Sequence, residues 1–191
     1  MPEVIEGEGG LVLRRWTDAD VDVLDAAVRE NLEHLRPYLA WVAAEPLGLA
    51  GRRAVVAAWH EAWLRGGDGA YGMFEPERTG DRPLGGCGLH ARIGPGGREI
   101  GYWVDHRWLG RGLARRAAAA LTAAAFSLDD VDHVEIHHDL TNVWSRRVPE
   151  ALGFAHVGQT VLDRALAPAE TGIELMWRVD RSAWLARRAS G

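Results

Sequence analysis

The sequence predicts a single α+β domain over residues 1–191, with elements in the order βααβββαβαββ. Three observations carry this: helical patterns early in the chain, three short strands with tight turns in the middle, and then a strand, a glycine turn, a helix and another strand. A length of 191 residues suits one domain, and 47% hydrophobic with 26% charged residues is an ordinary globular composition. The chain has no repeat, low-complexity segment or linker to divide it.

Leu11 to Trp16 alternates as a first strand, and Thr17 or Asp18 caps a helix that runs toward Asn31. Proline and glycine then interrupt any period between His34 and Arg53, which predicts a loop or a broken second helix. From Arg52, the residues Val55, Val56, Trp59, Trp63 and Leu64 recur at helical spacing until Gly66 and Gly67. "AYGMFEP", "PLGGCGLHARI" and "REIGYWVD" are strands, and the turn-forming "ERTGDR" and "GPGG" between them imply an antiparallel meander. A helix from about Gly112 to Leu128 and a strand "DHVEIHHD" follow. Asn142 caps a short helix that Gly153 stops, and "AHVGQTVLD" and "GIELMWRV" form a final pair of strands.

The net charge of −5, from 22 basic residues against 27 acidic ones, argues against a nucleic-acid partner. All the basic residues are arginine. A lone Cys87 leaves no internal disulfide framework and suits a reducing compartment. No run of apolar residues is long enough for a membrane span, and the acidic opening "MPEVIEGEGG" is unlike a signal peptide. The expectation is a cytoplasmic protein that uses neither membrane nor nucleic acid; dimerisation is left open.

The stretch "HRWLGRGLARR" places glycines and arginines at the mouth of a helix. A dinucleotide fingerprint starting at Gly110 fails at its sixth position, Arg115, and a Walker loop fails for want of lysine. The pattern R/Q-x-x-G-x-G/A fits in full across Arg107, Trp108, Leu109, Gly110, Arg111 and Gly112, with Leu113 and Ala114 following. Such a turn aims backbone N–H groups at one point and adds the partial positive charge of a helix N-terminus, a geometry that cradles a pyrophosphate. Arg111, Arg115 and Arg116 sit where they could meet further phosphate.

"EIGYWVDHRWLGRGLARRA" and "VEIHHDLTNVWSRRVPEALGF", with the earlier "NLEHLRPYLAWV" and "GGCGLH", resemble the GNAT acetyltransferases, and within them the RimJ/RimL-like ribosomal-protein N-terminal alanine acetyltransferases. The resemblance spans roughly residues 10 to 180. It implies a mixed, strongly twisted central sheet, splayed in the middle, with flanking helices and acetyl-CoA in the splay. The pyrophosphate would lie on the turn from Leu109 to Ala114, and Tyr102, Trp103 and Val104 would pair through their backbone with the pantetheine arm.

The implied reaction moves acetyl from a thioester to a primary amine. An α-amine of pKa ~7.7–8.0 is already about a quarter to two-fifths neutral at pH 7.5, whereas a lysine near ~10.4 is almost entirely charged. In the family, the element matching Asn142 and Ser145 supplies the departing thiolate with a proton from Ser145, while Asn142 holds the cofactor arm or a water. Glu99 lies where many relatives carry a catalytic carboxylate. Glu135 and His138 share the alternative role of base, with His137 facing the opposite side from His138. No metal is expected, since the chemistry needs none and the histidines lack ligand spacing. Tyr38 and Trp41 are the candidates for an acceptor wall, with His138 also on the acceptor side. Trp59, Trp63 and Tyr71 are the other aromatics of that region, and the first two read more readily as core. The acceptor is a peptide or protein N-terminus, with a small amine as the alternative. A binding module without catalysis is the reading from a different class.

Overall fold

The computed structural model describes residues 1–189 and contains eight strands and seven helices among them. In chain order these are β1 (Val4–Glu6), β2 (Val12–Arg15), α1 (Val21–Glu30), α2 (Leu32–Leu35), α3 (Gly48–Leu64), β3 (Gly69–Phe74), α4 (Pro76–Thr79), β4 (Gly85–His90), β5 (Gly97–Val104), α5 (Leu113–Ala125), β6 (His133–Asp139), α6 (Val143–Leu152), β7 (Ala155–Val161), β8 (Ile173–Asp180) and α7 (Arg181–Ala189). The strands form one mixed sheet in the order β1-β2-β3-β4-β5-β6-β8-β7. Every neighbouring pair is antiparallel except β5 and β6, which α5 connects.

That exception positions the site. The β5–β6 ladder runs from Gly97 opposite His133 to Ile100 opposite Ile136 and stops there. Strand β5 goes on to Val104 paired with β4, while His137 to Asp139 continue paired with β8. The two strands part after four residue pairs, which is the splay that the resemblance implied.

The main core lies between the sheet and α5. Leu113, Ala117, Ala118, Leu121 and Ala125 of α5 are buried against Leu89, Ile100, Val134 and Ile136. Alanine lets the helix sit close to the strands, and each fully buried leucine or isoleucine contributes roughly 1.5–3 kcal/mol. A smaller cluster of Trp16, Val21, Leu24, Val28, Val56 and Phe74 packs α1 and α3 onto the other face.

Several boundaries differ from expectation. Strand β1 was hidden because three residues in an acidic stretch carry little pattern, yet it pairs with β2. A 3₁₀ turn over Asp18–Asp20 delays α1; Asp20 accepts from Thr17 N–H and Oγ1 at 2.8 and 2.6 Å and pairs with Arg14. The broken second helix takes the form of α2 and a 3₁₀ segment, Ala40–Ala44. Helix α7 was missed because its arginines mask its one buried anchor, Trp184. Its first residue, Arg181, donates to the carbonyls of Leu128 and Val131 beyond α5. Tyr71 is a core residue whose hydroxyl donates to Pro2, and Trp59 packs on the smaller cluster.

Candidate active site

The glycine turn is built from Asp105 onward. Asp105 is fully buried and accepts from Arg107 N–H at 2.9 Å, closing a short 3₁₀ turn over His106–Trp108. His106 N–H donates to the buried Asn31 at 2.8 Å, tying this turn to the end of α1. Gly110 and Gly112 both take φ of +71°, where a side chain is strained, and a Cβ on either would meet no described atom within 4 Å. Gly112 is the N-cap of α5 and offers no side chain to it, so no capping side chain claims the amide donors of the first turn. Buried Leu113 anchors the helix start, Ala114 is half-buried, and exposed Leu109 stands beside the turn.

The arginines divide. The Arg107 guanidinium, expected to hold the cofactor, is taken up by Asp105 and by Glu30 at 2.7 Å. Burial opposes charge on Asp105, but Arg107 outweighs it and holds the carboxyl down at about 2. Arg107 therefore braces the turn from behind. Arg116 is likewise committed, to Glu75 at 2.7 Å and to the carbonyl of Gly9 at 3.0 Å. Arg111, stacked 4.6 Å over Trp108, and the half-exposed Arg115, 3.9 Å from the exposed Glu8, lie at the surface.

Beyond the splay lies a cavity of about 500 Å³. Its lining includes the sequence candidates Tyr38, Trp41, Glu99, Tyr102, His138, Asn142 and Ser145. Asn142 caps α6 by accepting from Ser145 N–H at 3.1 Å, and the Ser145 hydroxyl is 2.9 Å from that of Tyr102. Along the open edge of β5, Tyr102 and Val104 pack toward the main core and Trp103 toward the smaller cluster.

One carboxylate ties the cavity's walls together. Buried Asp139, at the end of β6, accepts from the N–H groups of Thr141, Thr171 and Gly172 at 2.9, 2.8 and 3.1 Å and from both threonine hydroxyls. Burial penalises its charge, yet these donors prevail and lower its pKa. The Thr141 hydroxyl oxygen also lies 2.9 Å from the Ala169 carbonyl, Ala169 N–H donates to Pro37, and the Tyr38 hydroxyl donates to the Thr141 carbonyl. The β7–β8 loop, the start of α6 and the Tyr38 loop are thus held as one rim.

The charged floor corrects the expected grouping on β6. Glu135 and His137 share a face, as strand alternation requires, with His137 Nε2 2.6 Å from Glu135 and its Nδ1 3.3 Å from Glu174 and 3.9 Å from Glu99. Burial alone would depress His137, but Glu174, Glu135 and Glu99 outweigh it and raise the pKa to about 9, so the ring is an imidazolium at neutral pH. His138 has both ring nitrogens engaged: Trp177 Nε1–H donates to its Nε2 at 3.0 Å, and its Nδ1 meets the Asp139 carbonyl at 2.8 Å. Burial lowers its pKa, so it lines the cavity as a fixed neutral ring rather than as a free base. Glu99 is gripped at both oxygens by Arg92, at 2.7 and 2.5 Å. The sequence reading did not single out Arg92, Arg164, Glu170 or Glu174, which also line the cavity. Arg164 and Glu170 lie in the irregular β7–β8 loop, and Glu174 arrives only through β8 pairing with β6. Among the described residues, no group of three His, Cys, Asp or Glu is placed to hold a metal, and no helix is long and apolar enough to cross a membrane.

Comparison with known proteins adds a family to this geometry. The Bacillus subtilis (strain 168) protein YdaF, named provisionally as a ribosomal N-acetyltransferase, is 36% identical over 61 residues, 32% of this chain and only 33% of that protein. Among solved structures, RimL, a ribosomal L7/L12 alpha-N-protein acetyltransferase in complex with coenzyme A, superposes with a TM-score of 0.84 at 22% identity, over 95% of this chain and 99% of its own. The microcin C7 self-immunity acetyltransferase MccE, in complex with acetyl-CoA and AMP, gives 0.81 at 13% identity, over 94% and 97%. These likenesses establish the fold, and the model of the acetyltransferase (GNAT) domain matches residues 10–155, across the glycine turn and the start of α6. A sheet that splays beside an uncapped glycine turn belongs to that match, and the chain is a member of the GNAT acetyltransferase family.

Proposed function

We propose that this protein is an acetyl-CoA-dependent N-acetyltransferase whose acceptor is the α-amine of a peptide or protein N-terminus, attacking the thioester directly. The observation that carries the reading is the continuity of the site. The glycine turn, the open edge of β5 and the Ser145 hydroxyl follow one another into the splay, and the cavity with Tyr38 and Trp41 opens beyond it. The N–H groups around Gly110 to Ala114 would hold the donor's pyrophosphate, and the edge at Tyr102 to Val104 would pair with its pantetheine arm. A thioester carbonyl at the fork would then face an amine entering from the cavity.

An N-terminal amine asks little of a base. His137 is already protonated and Arg92 holds both oxygens of Glu99, so of the cavity's carboxylates Glu174 is the one left to take the proton. Ser145 protonates the departing sulfur. The names of the L7/L12-modifying structure and of the Bacillus relative support a ribosomal-protein N-terminus as acceptor. A protein doing this work would operate in the cytoplasm.

The test is thiol release from acetyl-CoA with two pools, short peptides with free N-termini and amine-bearing small molecules, with products identified by mass. Acetylated peptides are expected. Product only from the second pool would move the acceptor to small amines, and silence from both with donor binding intact would make the chain a binding module.

A further inference from the structure

Helix α6 contains Pro149, which has no N–H to return to the carbonyl of Ser145 four residues earlier. A half-buried carbonyl without a donor is costly, and the fold supplies one from outside the helix. The Tyr102 hydroxyl lies 3.2 Å from the Ser145 carbonyl and 2.9 Å from Ser145 Oγ. One phenolic proton therefore faces two acceptors on the same residue.

We propose that Tyr102 is a positioning residue that sets which way the Ser145 hydroxyl points. This rests on the reading of Ser145 as the proton donor to the thiolate. In one arrangement the phenol donates to the carbonyl that Pro149 leaves open, and Ser145 donates back to the phenol oxygen, away from the splay. In the other the phenol donates to Ser145 Oγ, and the serine proton turns toward the splay. Negative charge growing on a departing sulfur favours the second. Burial raises the pKa of Tyr102, so the phenol keeps its proton and takes part through hydrogen bonds rather than as an acid.

The step balances as follows. The amine nitrogen bonds to the thioester carbon, the C–S bond breaks with its electron pair going to sulfur, and sulfur takes the Ser145 proton. The Tyr102 hydrogen bond supports the serine oxygen until water reprotonates it, and the proton lost by nitrogen leaves through the cavity to solvent.

Tyr102→Phe keeps the packed ring and removes only the hydroxyl. It is expected to lower kcat about tenfold, the loss of one hydrogen bond made in the transition state, with KM for acetyl-CoA within about twofold. The same variant also loses melting temperature, because the Ser145 carbonyl is stranded. Adding Pro149→Ala returns an N–H to that carbonyl, so the double variant should regain the melting temperature while kcat stays low. Recovery of kcat together with stability would reduce Tyr102 to filling the carbonyl and overturn the proposal, as would an undiminished kcat in Tyr102→Phe while Ser145→Ala is slow. Ser145→Ala at full kcat would instead overturn the reading of Ser145 on which the proposal stands.

Discussion

Two helix N-termini flank the splay, and they are finished in opposite ways. Helix α5 begins at Gly112, in the left-handed region and with no capping side chain, so its first amide donors stay unclaimed. Helix α6 begins at Asn142, whose side chain accepts from Ser145 N–H. An uncapped terminus keeps its charge for an incoming anion, whereas a capped one spends it on rigidity and so fixes the side chains of its first turn. On the proposed reading, the two ends of the donor would meet a receptive surface at one helix and a firmly seated serine at the other.

The contrast can be broken most severely at α5. Gly112→Glu places a carboxylate where the proposed site would hold phosphate and is expected to weaken acetyl-CoA binding by more than about 100-fold in titration calorimetry, a difference of roughly 2.7 kcal/mol. Gly112→Ala carries the backbone strain without the charge and should lose much less. If both variants lose equally, strain rather than phosphate explains the glycine.

The next effect falls on the rim that holds α6 in place. Asp139→Asn turns a carboxylate with several donors into an amide that opposes some of them, and should cost about 2–3 kcal/mol in chemical denaturation. Because the folded pKa of Asp139 is depressed, its contribution is present above the ordinary carboxylate value near ~4 and is lost as pH falls through the lower folded value. Melting curves taken downward from pH 5 should therefore fall more steeply for the native chain than for the variant; parallel curves would show that Asp139 contributes nothing through its charge.

The smallest effect is at the cap itself. Asn142→Ala should cost about 1 kcal/mol of stability and weaken acetyl-CoA binding far less than Gly112→Glu. A loss of donor affinity as large as that of Gly112→Glu would erase the distinction between the two termini.

Much of this contrast was legible in the sequence, because it is local. Two glycines before an alanine run, and an asparagine three residues before a serine, announce their roles through backbone chemistry alone. The meander and the final strand pair were readable from alternation. What escaped depends on distant partners. Nothing near Arg107 or Arg116 in sequence indicates that Glu30 and Glu75 will occupy them. Alternation separates His137 from His138 but does not reveal which side carries the carboxylates, since Glu99 and Glu174 come from β5 and β8. Helix α7 was masked by its arginines, because a single buried tryptophan makes too faint a stripe to see.

The short ladder between β5 and β6 has a consequence for the protein's lifetime. Four residue pairs of backbone ladder join a five-stranded half of the sheet to a three-stranded one, and past them the two strands part. A donor molecule laid in that crack would act as a removable mortar between two masonry blocks. By mass action a bound donor would favour the closed seam, so the folded chain should melt higher and resist added protease longer as acetyl-CoA is supplied.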